Sequence, residues 1–357
     1  MKKRFFCAAV LALALVFAVS ACGGGNIAVE LVEETAWAVY PIEKAPVKLI
    51  NAGDIWYALM GAYGNDDYAF AVGENEVDLK TVYETENVTI WFFEANENYA
   101  VWSERNGNFC EIKLYSRATG EVSTIHTLSE HDGYQNANIG LWGGDVYFLE
   151  TDYSAGKAAV MRFHAPTGEL SRFYEFTYAG DLSAMNLSLA GGVLLAVGNV
   201  GGKASLVRFD LSAGGEPTVR ELAKKVEYVF DAAYDAVTGH YAIYYKDVNR
   251  QEHIGVISAK SNAVANIYTF AENVYAYEDT VSMHGGRVYW VTQVNASGIV
   301  SDHYKFTDYD FKSHTYTEYL RTFGFTLAED GVYLLSFNKQ DYDGIYLSKI
   351  FLGGKKQ

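Results

Sequence analysis

Beyond residue 25 the apolar positions fall into short alternating runs rather than helical stripes. Seven times a turn residue precedes a run of β-branched and aromatic residues. The runs are Asp54-Ile55-Trp56-Tyr57, Asn98-Tyr99-Ala100-Val101-Trp102, Asp145-Val146-Tyr147-Phe148, Gly192-Val193-Leu194-Leu195, His240-Tyr241-Ala242-Ile243-Tyr244, Arg287-Val288-Tyr289-Trp290 and Gly331-Val332-Tyr333-Leu334. Their first apolar positions are spaced by 44, 47, 47, 48, 47 and 44 residues. A second pattern follows the middle runs, as in Lys113-Leu114-Tyr115-Ser116-Arg117-Ala118-Thr119-Gly120-Glu121 and Arg162-Phe163-His164-Ala165-Pro166-Thr167-Gly168-Glu169. Each reads as a strand, a tight turn and a new strand, with Gly supplying the positive φ that ends the turn. In the fifth and sixth units that turn reduces to Ser261-Asn262-Ala263 and Lys312-Ser313-His314.

The second unit divides into four strands, Val88–Glu94, Asn98–Ser103, Phe109–Ser116 and Glu121–Leu128. Four strands at a period near 47 residues predict an all-β fold, a β-propeller of seven four-stranded blades. Two stacked sandwiches, or a ring of six or eight blades, are the alternatives. The last unit holds three strands, Phe323–Ala328, Gly331–Phe337 and Gly344–Phe351, and lacks a fourth. An unassigned strand-like stretch, Val29-Glu30-Leu31-Val32 through Ala36-Trp37-Ala38-Val39-Tyr40, precedes unit one. An N-terminal strand added to the last blade closes the ring and removes an open sheet edge. Over residues 45–354 the units resemble the loosely patterned blades of bacterial YVTN, quinoprotein-like and TolB-like propellers. The Gly-His and Trp-Asp pairs of WD40 blades are missing.

Composition agrees with β structure: 28 Tyr, 20 Phe and 33 Gly against four Pro. The start of the chain differs. Met1-Lys2-Lys3-Arg4 is basic, Phe5 to Ala21 is apolar and short for a membrane span, and Val19-Ser20-Ala21-Cys22 is followed by three glycines. Small residues lie extended in a peptidase cleft, and a cysteine after the cut offers its thiol for a thioether. Val19-Ser20-Ala21-Cys22 resembles the lipobox of bacterial lipoproteins. The resemblance implies a signal peptide over 1–21, a lipid on Cys22, a short Gly linker to residue 28 and a single propeller domain over 29–357. Gly23–Asn26 reaches under about 20 Å, which keeps the ring near the membrane.

Formal charge is −16, and loss of Lys2, Lys3 and Arg4 takes it to −19. Such a body repels nucleic acid and anionic headgroups. With Cys7 in the leader and Cys22 acylated, Cys110 is alone and no intrachain disulfide forms. Its alternating surroundings predict a small buried residue.

Linear motifs for catalysis are few. There is no Gly-x-Ser-x-Gly elbow, and the eight histidines form no zinc-binding set. Gly198-Asn199-Val200-Gly201-Gly202-Lys203-Ala204 imitates a phosphate loop but is one residue short and lacks the hydroxyl. It reads as the hairpin between the second and third strands of blade four. Thr307-Asp308-Tyr309-Asp310 and Asp341-Tyr342-Asp343-Gly344 hint at calcium loops without the full spacing. No catalytic residue, metal ligand or cofactor is assigned.

In a propeller the loops between second and third strands emerge on one face with the connections between blades. Here those loops are long and polar, while the turns on the opposite face are short and alike. Binding residues collect on variable loops carried by a rigid ring. Aromatics beside charges single out Tyr63, Asp67, Arg105, Tyr153, Arg250 and Tyr342 as candidate binding residues. Trp56, Trp102 and Trp290 are expected between blades, and Trp142 half-exposed at a turn. The sequence thus predicts a monomeric propeller held to a membrane through the Cys22 lipid, on the extracytoplasmic side. It would act as a binding or scaffold module for an envelope protein or glycan. The alternative is a propeller-type glycosidase or polysaccharide lyase whose carboxylates converge on the central channel. Two carboxyl groups about 5–9.5 Å apart would mark that chemistry.

Overall fold

The computed structural model describes residues 26–29, 38–41, 45–61, 67–107, 109–129, 138–152, 157–177, 186–200, 202–277, 281–295, 303–328, 331–337 and 344–350. Every regular element among them is a strand. Two strands, β1 (Asn26–Val29) and β2 (Ala38–Pro41), come before the first blade. Blade one is β3 (Ala45–Ala52), β4 (Ile55–Gly61), β5 (Tyr68–Gly73) and β6 (Lys80–Thr85). Blade two is β7 (Thr89–Ala95), β8 (Tyr99–Asn106), β9 (Phe109–Ser116) and β10 (Glu121–Ser129). Blade three is β11 (Ile139–Trp142), β12 (Asp145–Asp152), β13 (Lys157–His164) and β14 (Glu169–Thr177). Blade four is β15 (Asn186–Ala190), β16 (Val193–Val200), β17 (Lys203–Asp210) and β18 (Thr218–Glu221). Blade five is β19 (Val226–Tyr234), β20 (Tyr241–Asp247), β21 (Glu252–Ile257) and β22 (Val264–Thr269).

Blade six departs from the regular unit. Its inner strand is broken into β23 (Val274–Ala276) and β24 (Ser282–His284), both paired with β25 (Arg287–Val294). β26 (Tyr304–Asp310) and β27 (Thr315–Leu320) follow, and β1 adds to β27 in parallel, with Asn26 opposite Tyr316. β1 therefore begins inside the stretch read from sequence as linker. Blade seven is β28 (Thr322–Ala328), β29 (Gly331–Phe337) and β30 (Gly344–Ile350), and β2 supplies its outer strand, antiparallel to β30. The seven-bladed ring expected from the spacing is the fold found, closed by an N-terminal strand.

Apolar faces of neighbouring blades pack together between the sheets. Trp102 lies fully buried between blades one and two, its ring 4.6 Å from Phe70. Trp290 is fully buried among residues of blades five and six. At the seam, Trp56 of blade one meets Tyr333 of blade seven edge-on at 5.0 Å. Trp142 is 39% exposed beside the Gly191-Gly192 turn. Cys110 is buried, and burial pushes its thiol up to about 12, far from a nucleophile's range. The closing strand alternates as an edge strand should: Ala38 and Tyr40 point inward and Val39 outward. The Tyr40 hydroxyl donates to the Glu76 carbonyl, tying the closing strand to blade one.

Candidate functional site

Several contacts pin the loop face. Asp67, at the end of the first such loop, accepts the Asn87 N–H at 3.2 Å across to the connection between blades one and two. Val248 N–H donates to the Lys225 carbonyl at 3.1 Å, and Asn295 N–H to Asn273 at 2.8 Å. Loops within blades and connections between blades thus share one face and brace each other there.

Of the residues singled out from sequence, Tyr63, Tyr153, Tyr342 and Cys22 lie outside the described residues. Arg105 ends β8, half-buried, with Nε 3.5 Å from the Gly107 carbonyl. Arg250 is exposed at the tip of the blade-five hairpin, at φ 66°. Asp247 builds that tip by accepting the N–H groups of Asn249 at 2.8 Å and Gln251 at 2.9 Å. Arg105 and Arg250 belong to blades two and five, three blades apart on the ring, so they do not form one cluster. The calcium-like Asp308 and Asp310 are instead engaged by Arg287, with contacts of 2.8 Å to both Asp308 oxygens and 3.0 Å to Asp310. They form an ion-pair network within the sheet. Gly198 and Ala204 lie in the hairpin that joins β16 to β17, as the blade pattern requires.

A different group lies on an inner strand. Glu94, near the end of the inner strand β7, is exposed to solvent at its surface but crowded by the protein around it. A carboxylate crowded by protein atoms loses part of its hydration, which disfavours its charged form. That crowding pushes Glu94 up to about 7, against the opposing pull of the Lys48 ammonium on β3. Inner strands of other blades are knit to one another. Ser188 donates to the Ala232 carbonyl, and Thr326 donates to Leu49 across the seam.

Two further carboxylates are buried without being reactive. Asp235 is fully buried and gathers Val237 N–H at 3.0 Å, Thr238 hydroxyl at 2.6 Å, Gly285 N–H at 3.1 Å and Gly286 N–H at 2.7 Å. Burial pushes it upward, but the Thr238 hydroxyl and the three N–H donors outweigh it and hold it low. Glu104 accepts from the Trp102 indole at 2.7 Å and Tyr83 at 3.1 Å, with Lys113 at 3.7 Å. Sequence reasoning missed all three. Glu94 left the one available signal, a charge at the end of an inner strand directly after Phe92-Phe93.

No protein-family profile matches the chain, and no curated sequence matches it. Solved structures do. The propeller domain of the trilobed protease from Pyrococcus furiosus superposes with a TM-score of 0.56 at 12% identity, over 88% of this chain and 97% of that one. The extracellular domain of a one-component system from B. thetaiotaomicron gives 0.56 at 10% identity, over 86% and 38%. An acylaminoacyl peptidase from Pyrococcus horikoshii gives 0.53 at 10% identity, over 88% and 53%. The chain is a β-propeller. It spans about half or less of the second and third proteins, and at these identities the likeness is one of fold.

Proposed function

We propose that the protein is a lipid-anchored extracytoplasmic propeller that binds or scaffolds an envelope protein or glycan. The observation that supports this reading is the lipobox-like Val19-Ser20-Ala21-Cys22 directly upstream of a closed ring whose loops are long on one face and minimal on the other. A ring closed by its own N-terminal strand is a rigid platform, and rigid platforms present variable loops at little ordering cost. The test has two stages. Labelled fatty acid should enter the full-length protein and not Cys22→Ser, because stable anchoring needs acyl chains attached there. Incorporation into Cys22→Ser would end the lipoprotein reading. The lipidated protein would then be used to pull partners from membranes, with Arg105→Ala and Arg250→Ala tested separately, since each lies on its own blade. Recovery of the same partners by both variants would move the binding surface elsewhere on the ring.

A second reading, glycoside hydrolysis or elimination in the channel, draws on Glu94, whose carboxyl near neutrality suits acid–base work. The charged neighbour that acts on it is the Lys48 ammonium, which leaves the paired-carboxylate geometry without its second member among the described residues. Cleavage of a polysaccharide panel by the wild type and not by Glu94→Gln would favour this reading over the first.

A further inference from the structure

Blades three and six share a device in which an arginine and a carboxylate bind diagonally across the second and third strands. In blade three, Asp145 opens β12 and Arg162 lies on β13, with Nη2 2.9 Å from the Asp145 carboxylate. In blade six the partners are exchanged: Arg287 opens β25 and grips Asp308 on β26. In blade four the arginine remains as Arg208 on β17, but the position of Asp145 is taken by Val193. The carboxylate stands instead opposite Val193, as Asp210, and its contact with Arg208 is 3.5 Å against 2.9 Å in blade three.

A second cation joins it. On β18, Arg220 stands opposite Leu206, and Thr218 stands opposite Arg208. The two guanidinium groups therefore sit diagonally on one face of the blade, at a spacing where long side chains interact. Each lies over a ring of blade five, Arg208 above Tyr234 and Arg220 above Tyr241, both 5.0 Å from the ring centre. Tyr234 and Tyr241 are themselves a cross-strand pair. Stacking fixes the guanidinium planes and leaves their N–H edges free to point sideways. Arg208 Nε and Arg220 Nη1 are buried and have no acceptor among the described residues. Arg162 Nε shares that state, but Asp145 neutralises its guanidinium.

Other acceptors nearby are weak or engaged. Arg208 Nη2 is 3.5 Å from Asp210, whose carboxylate caps the following turn through Ser212 at 2.8 Å and Ala213 N–H at 3.1 Å. Arg220 Nη2 donates to the Ala259 carbonyl at 3.2 Å. Between these groups lies a cavity of about 80 Å³ lined by Leu206, Arg208, Thr218, Arg220 and Tyr241. Leu206 and the Tyr241 ring give it an apolar wall.

From this geometry we propose a binding site for a small organic carboxylate in the cleft between blades four and five. The ligand's carboxylate lies between the two guanidinium groups. It accepts from Arg208 and Arg220, and its short carbon skeleton lies against Leu206 and Tyr241. Planar forks suit a carboxylate, and the apolar wall favours an organic acid over a fully hydrated inorganic anion. The ligand is a short-chain organic acid, for which acetate serves as the probe.

The test is titration of carbon-13-labelled acetate into the full-length protein, read by NMR. Saturable binding is expected, weakened by about tenfold or more in Arg208→Gln and in Arg220→Gln, since each removes a charge-assisted hydrogen bond. Arg162→Gln, on blade three, should bind as the wild type does. Thermal unfolding checks each variant, and Arg220→Lys replaces Arg220→Gln if the latter fails to fold. Lysine keeps the charge without the fork, so weakening is again expected. Absence of saturable acetate binding overturns the site, as does unchanged affinity in the double variant. Displacement of acetate by equimolar inorganic phosphate would overturn its selectivity for a carboxylate.

Discussion

Asp235 and Glu94 are acidic side chains pushed in opposite directions by their surroundings. Asp235 is ionised among four donors that link the first turn of blade five to that of blade six. Its folded value lies below the ordinary 3.8, so its contribution is present above that pH and lost as pH falls through the folded value. Replacing it with alanine strands buried donors at the blade junction. Asp235→Ala should cost about 2–4 kcal/mol in urea unfolding. A change under about 0.5 kcal/mol would show that the donors find other acceptors. Glu94 works the other way. Its folded value of about 7 lies above the ordinary 4.5. The fold therefore favours its protonated form, and this contribution is full below 4.5 and lost as pH rises through about 7. The melting temperature should decline over that window in the wild type and decline less in Glu94→Gln. Identical pH profiles would mean that water fully hydrates the carboxylate.

At the level of strands, the closing element gives the clearest expectation. A chain beginning at Ala45 lacks β1 and β2 and leaves β30 with an unpaired edge. It also loses the buried Tyr40, a side chain whose burial stabilises by about 1.5–3 kcal/mol. Such a truncation should aggregate or melt at least about 5 °C lower. Equal melting curves would reduce these strands to a passive lead-in. Much of this architecture could be read in the sequence, because side-chain period and turn chemistry are local. β9 and β29 begin and end where the alternation said they would. Gly120 and Gly168 take the positive φ required of them, at 72° and 71°, and His314 takes it at 56° where the glycine has been lost. β1 was not legible, since its four residues acquire a partner only when the ring brings β27 alongside. The split inner strand of blade six was hidden for a similar reason. Val281 N–H is held at 2.8 Å by Asp231 of blade five, a contact 50 residues distant. The site was less legible than the fold. The repeat showed where loops would emerge, but not that the Lys48 ammonium would act on Glu94 across blades one and two.

The whole ring behaves as one cooperative body, because its apolar clusters lie between blades rather than within them. One cluster joins blades six, seven and one across the seam. Trp102→Ala and Trp290→Ala, on opposite parts of the ring, should each cost about 3–5 kcal/mol and leave a single unfolding transition. Two separated transitions would show that the ring melts in sectors. The closing strand carries a further consequence for how the chain is made. β2 emerges among the earliest residues, yet its partner spans Gly344–Leu347, almost at the other end of the chain. During synthesis from the N-terminus, β2 remains a strand without a sheet while six blades assemble. Completion is then a long-range event, and such events are slow. The nascent chain exposes its own unpaired strand until the last blade arrives, so its greatest exposure to mispairing with another copy comes just before completion, when every blade except the last stands ready.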